Sequence, residues 1–351
     1  MPANLDGTAP FRAKLNFASA EEAARQAGGV ALAARAARQA WDDGTRALQI
    51  VVADGARLPA AALADVQRAC PDMWLSNGRD YPAWRWREPD VAEIVRATGK
   101  AGDGLVSRWV NRPLSQAITR LLLRHAPWVR PGHVTLFVAL LGLAMLAAML
   151  FGGWAGFVGG ALLFHIASML DGVDGELARA TWRTSESGAL ADTIVDQCIN
   201  LAFFVGLTAG VARFYGPAAT AAAGWAVTLF LTGVGLMALM ARAHGGGQLN
   251  FLKAHYRARF PDGAARRITD WLVIFTSRDF FALFFAVALP LGLGGFVPWL
   301  LLGFAALWLL LILLAVRPML RRAQEGSAAS AEVEVAARRP IEIGGDVHLG
   351  E

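Results

Sequence analysis

Residues 133–320 are mostly Leu, Ala, Phe, Val and Gly, and this long apolar region limits what the chain can fold into. A membrane-spanning helix needs about 20 consecutive apolar residues. Charged residues make up only 17% of the chain, against about 25% in a soluble domain. The pattern predicts a soluble N-terminal part followed by an all-α integral membrane domain. Six transmembrane helices are expected, at roughly 133–152, 154–171, 188–212, 218–241, 278–297 and 298–318.

The orientation of these spans follows from the distribution of Lys and Arg between the short loops. The loops on one side carry nearly all the basic residues, whereas the opposite loops contain only Arg213. Residues 1–26 contain no apolar core long enough for a secretory signal. Both termini are therefore expected in the cytoplasm, with the spans in a bacterial inner membrane. The arginines follow the spans instead of forming one patch, so no nucleic-acid partner is expected.

The N-terminal part, residues 1–100, is expected to be a small cytosolic α/β domain. Residues 19–44 have a helical composition, and residues 46–54 form a short buried-strand run. A second helix over 59–70 and a possible second strand over 72–77 follow. The glycine pair within "AGG" at 27–29 lacks the pattern of a phosphate-binding loop.

Residues 103–130 predict an amphipathic helix directly before the first span. Arg108, Arg112, Arg120 and Arg124 recur at multiples of four, and an apolar side accompanies them. Such a helix can lie in the membrane interface with its arginines toward the headgroups. An ordinary cytosolic helix packed on the N-terminal domain is the alternative. At the other end of the chain, residues 323–351 are polar and are expected to be disordered.

The segment "SMLDGVDGELARATWRTSESGALADTIVDQC", residues 168–198, carries six carboxylates, among them Asp171, Asp174, Glu176, Asp192 and Asp196, between apolar segments where an ionised side chain is costly. Asp171 and Asp174 are three residues apart and Asp192 and Asp196 are four apart, so each pair shares a helix face. Four ionised carboxylates cannot share one space without cations. Hard divalent ions with oxygen ligands are the natural compensation, namely Mg²⁺, or else Mn²⁺ or Ca²⁺.

Small residues accompany the acids in the same segment. Gly175, Ala178 and Gly188 allow a bulky ligand to approach the helix backbones closely. Arg179 can pair with a phosphate or with an acidic neighbour. The full spacing reads D-x-x-D-G-x-x-A-R, eight residues, G, three residues, D, three residues, D. This pattern resembles the signature of the CDP-alcohol phosphotransferases, the CDP-alcohol phosphatidyltransferase family, over about residues 103–320.

The resemblance implies a site for one or two divalent ions bound by Asp171, Asp174, Asp192 and Asp196. It further implies that Asp196 acts as the general base for an acceptor hydroxyl, which attacks the β-phosphorus of a CDP-alcohol and releases CMP. The nucleotide would be bordered by four residues of the motif: Gly175, Ala178, Arg179 and Gly188. Members of the family often carry Pro-Asn-x-x-Thr at the first span, where this chain has "PGHVT". Thr135 is therefore a candidate nucleotide contact, or a threonine bonded to its own helix.

The resemblance also implies an acceptor, a donor and an assembly. Arg242 and Arg278, near the cytoplasmic ends of two spans, are candidates for binding a phosphorylated acceptor, although the orientation rule places arginines there anyway. His165 and Ser168 either line the pocket or pack between helices. The expected donor is CDP-diacylglycerol, with inositol phosphate or glycerol phosphate as acceptor, in phospholipid biosynthesis by a homodimer. A soluble donor such as CDP-inositol, with a lipid or sugar acceptor, is the alternative.

A second resemblance concerns the N-terminal part. Its sequence is similar to fused proteins in which a sugar nucleotidyltransferase precedes a transferase of this family and which make inositol phosphodiesters from CDP-inositol. The region lacks an intact glycine-rich nucleotide loop, so we expect a reduced, inactive relative; a plain accessory domain fits equally well. Cys70 and Cys198 are far apart and one lies in a predicted span, so neither a disulfide nor a zinc site is expected.

Two other classes of membrane protein use intramembrane acids. Intramembrane prenyltransferases carry two separated acidic motifs, but residues 218–318 contain no second acidic cluster. Transporters usually show internal repeats, and the segment 168–198 has no second copy. A cation- or proton-coupled transporter is the non-enzyme alternative. Only the transferase is expected to be stabilised by CDP or CMP together with Mg²⁺.

Overall fold

The computed structural model describes residues 11–76, 81–99, 104–243, 263 and 278–314. The chain divides into two units. One comprises Met1–Gly210 with Ser277–Gly292, and the other comprises Val211–Thr276 with Leu293–Glu351. The first unit contains the N-terminal domain and the whole acidic motif.

The N-terminal domain is a small α/β unit, as predicted. Its three-stranded parallel sheet has the order β1-β4-β5, and a short antiparallel hairpin, β2 and β3, stands beside it. The core is formed where Leu15 and Phe17 of the sheet meet a run of fully buried alanines in helix α2. The elements are β1 (Phe11–Phe17), α1 (Ala20–Ala24), β2 (Gln26–Ala27), β3 (Val30–Ala31), α2 (Leu32–Asp42), β4 (Thr45–Val52), α3 (Ala60–Ala69), β5 (Trp74–Leu75) and α4 (Val91–Arg96).

The strand, helix and second strand expected within 46–77 are confirmed as β4, α3 and β5. The helical interpretation of residues 19–44 is wrong in its middle, because the β2–β3 hairpin separates α1 from α2. Gly28 and Gly29, at the hairpin turn, both have positive φ angles of 60° and 81°, which a two-residue turn of this kind requires. Strand β1 was not expected, although its residues 11, 13, 15 and 17 alternate as a half-buried strand does.

The C-terminal region is helical and contains five helices long and apolar enough to cross a membrane among the residues that the structure describes. The fifth expected span, 278–297, contains a helix of only 11 residues, Arg278–Ala288, which is about 16 Å long, so a count of six is not confirmed. The helices are α5 (Arg112–His125), α6 (Pro131–Phe151), α7 (Gly153–Ala180), α8 (Glu186–Phe214), α9 (Gly216–Ala243), α10 (Arg278–Ala288) and α11, residues 297–314.

Helix α7 continues nine residues beyond the expected end of the second span, so that the first half of the acidic motif is helical. Aromatic contacts connect the helices of the first unit: Phe164 of α7 stacks on Phe203 of α8 with ring centroids 4.1 Å apart, and Phe203 meets the tilted ring of Phe285 of α10 at 4.8 Å. In the second unit, the Trp308 ring stacks on Phe230 at 5.3 Å. A side chain at Gly233 would collide with that tryptophan.

Helix α5 follows a π-helical turn, Ser107–Asn111, and packs on α7 through Ser115 and Thr119, which are buried. Apolar residues of this segment are nevertheless exposed: the exposed fraction is 74% for Trp109 in the π-helical turn and 58% for Leu121 in α5, whereas Leu123 is buried. The helix expected over 103–130 is therefore present in shortened form. Its position in a membrane interface stays a prediction.

Candidate metal and nucleotide site

Three of the four predicted metal ligands form one cluster. Asp171 lies on α7, and Asp192 and Asp196 lie one turn apart on α8. One carboxylate oxygen from each lies within 4.8 Å of the other two. The acidic faces that the spacing predicts on α7 and α8 therefore point into the same space.

Asp174, the fourth predicted ligand, lines the adjoining cavity together with Asp192. Its Oδ2 accepts a hydrogen bond of 2.6 Å from the hydroxyl of Thr135 on α6. The same hydroxyl lies 3.3 Å from the Pro131 carbonyl in its own helix. Thr135 has one proton to donate, and the shorter contact assigns it to Asp174. The threonine therefore lines the cavity and also orients a carboxylate.

Arg278, at the first position of α10, supplies positive charge within the cluster. Its Nη1 is bonded to Asp196 and lies 3.5 Å from Asp171. Among the described residues, its Nε and Nη2 are buried without a hydrogen-bond partner. Arg242, the other candidate for acceptor binding, belongs to α9, but its side chain lies outside the described residues.

The cluster fits a hard divalent cation. Carboxylate oxygens are the ligands that Mg²⁺ and Ca²⁺ take, and two oxygens on one ion lie at most about 4.2 Å apart for Mg²⁺ and about 5 Å apart for Ca²⁺. The three aspartates satisfy the wider limit, and a small closure of the cluster satisfies the narrower one. The arginine among them shows that their shared negative charge needs a cationic partner.

A cavity of about 870 Å³ extends from Asp174 and Asp192 toward the loop between α7 and α8. The predicted nucleotide contacts are all on its wall. The motif residues there are Gly175, Ala178, Arg179 and Gly188, and Thr135 joins them. Arginines outside the motif line the same space: Arg68, Arg130 and Arg183.

Two small positions of the motif sit where a side chain would disturb the wall. A Cβ at Gly175 would lie 3.1 Å from Nη1 of Arg179, and one at Gly188 would lie 2.9 Å from Oγ of Ser185. Ser185 accepts a hydrogen bond of 3.0 Å from the backbone of Gly188, as a helix N-cap does. At the start of α6, Nδ1 of His133 accepts a hydrogen bond of 3.3 Å from the Arg130 backbone and so takes part in capping this helix.

Glu176, another carboxylate of the acidic segment, does not belong to the cluster. Its side chain is fully buried, and α5 supplies three donors to it. Arg112 Nη1 donates to Oε1 at 2.8 Å, Ser115 Oγ donates to Oε1 at 2.7 Å, and Thr119 Oγ1 donates to Oε2 at 2.6 Å. The carboxylate thus holds α5 against α7.

A second polar group lies one turn before the cluster on α7. Asp279, next to Arg278, accepts from Ser168 Oγ at 2.9 Å and from the Asn111 amide at 3.0 Å. Ser168 therefore links helices here, as in the packing alternative. His165 Nδ1 is buried without a hydrogen-bond partner among the described residues. Asp279 was not predicted, because a lone acid beside an arginine gives no signal of its contacts.

The N-terminal domain is attached to α7 directly beside the motif. The Arg35 guanidinium donates to the Ala180 carbonyl at 2.7 Å and stacks over the ring of Trp182 at 4.5 Å. Burial lowers the pKa of Arg35 to about 10, so the guanidinium stays charged at neutral pH. The motif residue Arg179 donates to the Thr98 carbonyl of this domain at 2.9 Å.

The comparison with protein families gives a match over the membrane region. The sequence model described as CDP-alcohol phosphatidyltransferase matches residues 128–317. Those residues include the eight positions of the motif and five candidate spans. The match covers more than half of the chain and confirms the resemblance drawn from the motif.

Three curated relatives share the name bifunctional IPC transferase and DIPP synthase. The protein from Thermococcus kodakarensis is 36% identical over 128 residues, 34% of this chain and 28% of the relative. Those from Archaeoglobus fulgidus and Aquifex aeolicus are 33% identical over 147 residues and 35% identical over 131 residues. These cover 39% and 35% of this chain and 28% and 29% of the relatives. A two-activity name agrees with the resemblance to fused transferases.

Proposed function

The chain belongs to the CDP-alcohol phosphatidyltransferase family, and we propose that it transfers a phosphate-linked alcohol from a CDP-alcohol to a hydroxyl acceptor and releases CMP. The observation that carries this proposal is the carboxylate cluster of Asp171, Asp192 and Asp196, in which Asp192 also lines the cavity formed by the motif. A cation site joined to a cavity of nucleotide size is the arrangement that displacement at a pyrophosphate needs.

The residues of the cluster divide the chemistry between them. Asp171, Asp174, Asp192 and Asp196 would hold one or two divalent ions, which neutralise the donor's pyrophosphate. Asp196 would take the proton of the acceptor hydroxyl. The acceptor oxygen then bonds to the β-phosphorus, the bond from that phosphorus to the bridging oxygen breaks, and CMP leaves with the electron pair. Mg²⁺ is the proposed ion, with Mn²⁺ or Ca²⁺ as substitutes.

Arg278 is the proposed contact for the acceptor. Its buried Nε and Nη2 have no hydrogen-bond partner among the described residues, and they lie on the same guanidinium that bonds Asp196. An acceptor phosphate held by those two donors would bring a neighbouring hydroxyl close to the proposed base. Guanidinium groups suit this role because their planar donors match phosphate oxygens.

Two classes of CDP-alcohol remain candidates for the substrate that donates the phosphate-linked group. The expectation from the sequence is CDP-diacylglycerol, with inositol phosphate or glycerol phosphate as acceptor. The relatives' name, IPC transferase, favours testing a soluble CDP-alcohol such as CDP-inositol first. The chain spans less than a third of the length of the three relatives described above, so their activities serve as a guide to substrates. We also propose cytoplasmic access to the site and a homodimer, as the resemblance implies.

The test measures CMP release by the purified protein in Mg²⁺. CDP-inositol and CDP-diacylglycerol are each offered with inositol, inositol phosphate, glycerol phosphate and serine. We expect release with one combination, and a loss of about 10²–10⁴-fold in kcat for Asp196→Asn, the range typical of general-base catalysis. The variant should still bind CMP with Mg²⁺.

Three results would count against parts of the proposal. Near-normal turnover by Asp196→Asn would contradict the assignment of Asp196 as the general base. CMP release that continues in excess chelator would contradict the requirement for a divalent cation. Silence with every combination, together with no binding of CMP in Mg²⁺ by the wild-type protein, would remove the transferase itself.

A further inference from the structure

Three arginines outside the acidic motif line the cavity, and each comes from a different part of the chain. Arg130 precedes α6, Arg183 lies in the loop between α7 and α8, and Arg68 comes from α3 of the N-terminal domain. The family match begins at residue 128, so Arg68 lies outside it. The membrane domain alone therefore does not supply the whole wall of this cavity.

Arg68 is held in its position by the fold of the N-terminal domain. It is paired with Asp65, one turn earlier on α3. The other oxygen of Asp65 accepts a hydrogen bond of 2.8 Å from the backbone of Ala31, the last residue of β3 and the N-cap of α2. The side chain of Arg68 is still 39% exposed, while that of Asp65 is 9% exposed. The aspartate is thus fixed inside the domain and the guanidinium reaches outward.

The domain is also docked at the loop that carries Arg183. The Arg35 guanidinium bonds the last turn of α7, and Gly29 approaches Thr181 and Leu123 so closely that a Cβ there would lie 3.0–3.1 Å from them. Gly28 and Gly29 form the hairpin turn at this contact. The glycine pair, which lacks the phosphate-loop pattern, serves to bring the two domains together.

The arginines are close enough to affect one another. The pKa of Arg183 is lowered, chiefly by burial and then by the positive charge of Arg68, and Arg130 acts in the same direction. Asp65 opposes this effect. Neighbouring like charges that are held together by the fold favour a ligand rich in hydrogen-bond acceptors.

The order of residues along the helices tells which part of a nucleotide would reach these arginines. Ala178 lies four residues beyond Asp174, and Gly188 lies four residues before Asp192, so each is about 6 Å from the carboxylate end. Arg183 lies between the end of α7 and the start of α8, beyond Ala178 and Gly188, and Arg68 and Arg130 are near enough to it to affect its pKa. With the diphosphate at the carboxylates, the ribose and base extend toward Arg68, Arg130 and Arg183.

We propose that Arg68 binds the nucleoside part of the donor together with Arg130 and Arg183, so that the N-terminal domain completes the nucleotide site of the transferase. The inference rests on the function proposed above. Arginine offers five N–H donors and no acceptor, whereas cytosine and ribose present carbonyl, ring-nitrogen and hydroxyl acceptors. The domain then acts as part of the donor site, whether or not it ever had an activity of its own.

The experiment measures CMP binding in Mg²⁺ by calorimetry on the full-length protein in detergent. Arg68→Gln is compared with Arg57→Gln, which removes the same charge from an exposed position just before α3 that does not line the cavity. We expect Kd to rise about tenfold for Arg68→Gln, as when a charge-assisted hydrogen bond is lost. Arg57→Gln should bind as the wild type does. Arg183→Gln, which changes the neighbouring arginine contributed by the α7–α8 loop, should weaken binding to a similar extent.

A second readout separates contact from general damage to the fold. CMP should slow hydrogen exchange in residues 60–69 of the wild type and of Arg57→Gln, and leave it unchanged in Arg68→Gln. If the wild type binds CMP and Arg68→Gln binds it equally well, the inference fails and the transferase proposal stands. If the wild type does not bind CMP in Mg²⁺, the transferase proposal fails as well.

Discussion

Helix α7 carries acidic residues on two faces that behave differently. Asp171 lies in the cluster with Asp192 and Asp196, where Arg278 is the basic partner. Glu176, five residues later, is turned by about 140° around the helix. It is fully buried and accepts from three side chains of α5.

The difference shows that an acid within an apolar helix can be stabilised in two ways. Glu176 accepts from three donors of the protein itself, so no ligand is needed to satisfy its oxygens and its contribution is to the fold. The aspartates repel one another and leave oxygens for an outside cation. The same residue chemistry on one helix therefore supports structure on one face and a proposed reaction on the other.

The largest effect expected from this comparison is on activity. Asp171→Asn and Glu176→Gln both remove one charge from α7 with little change in shape. We expect CMP release in Mg²⁺ to fall more than about a hundredfold for Asp171→Asn, beyond the loss typical when a residue that only supports a ligand is changed. Glu176→Gln should lose less than tenfold per folded molecule. Equal losses in both variants would remove the distinction between the two faces.

The next effect is on stability, where the Glu176 variant is expected to lose more than the Asp171 variant. Glu176→Gln should lower the free energy of unfolding by about 2–3 kcal/mol, because Arg112 and two hydroxyls lose a charged acceptor in a buried place. Asp171→Asn should change it by less than about 1 kcal/mol, since one of several clustered charges is neutralised. Melting of both variants in the same detergent, without added metal, measures this. A glutamine variant that melts like the wild type would show that α5 is held by other contacts.

The smallest effect concerns the hydroxyl that orients Asp174. Thr135→Val keeps the shape of the side chain and removes the 2.6 Å hydrogen bond. We expect the Mg²⁺ concentration needed for half-maximal CMP binding to rise about tenfold, the loss of one bond to a charged group. Thr208→Val is the matched control, because Thr208 bonds the Phe204 carbonyl of its own helix. If both variants raise this Mg²⁺ concentration equally, Thr135 has no role in orienting Asp174 beyond that of a threonine bonded to its own helix.

Much of the membrane region was predictable because its signals are local. Apolar length predicted α6, α8 and α9 to within a few residues, and the spacing of the aspartates predicted that Asp171, Asp192 and Asp196 share one space. The prediction for residues 19–44 was wrong because alanine-rich composition hides a two-residue turn that only Gly28 and Gly29 make possible. The count of six spans is not confirmed, since the described part of α10 is short.

The sequence by itself determined the apolar helices, the carboxylate pairs and the small residues beside them, because helix periodicity and residue size act over a few positions. The tertiary structure decided which partner each group meets. It placed α5 against Glu176, Arg278 against Asp196 and α3 beside the cavity. These contacts join residues far apart in the chain, and packing between helices and domains sets them, so no spacing within one segment could predict them.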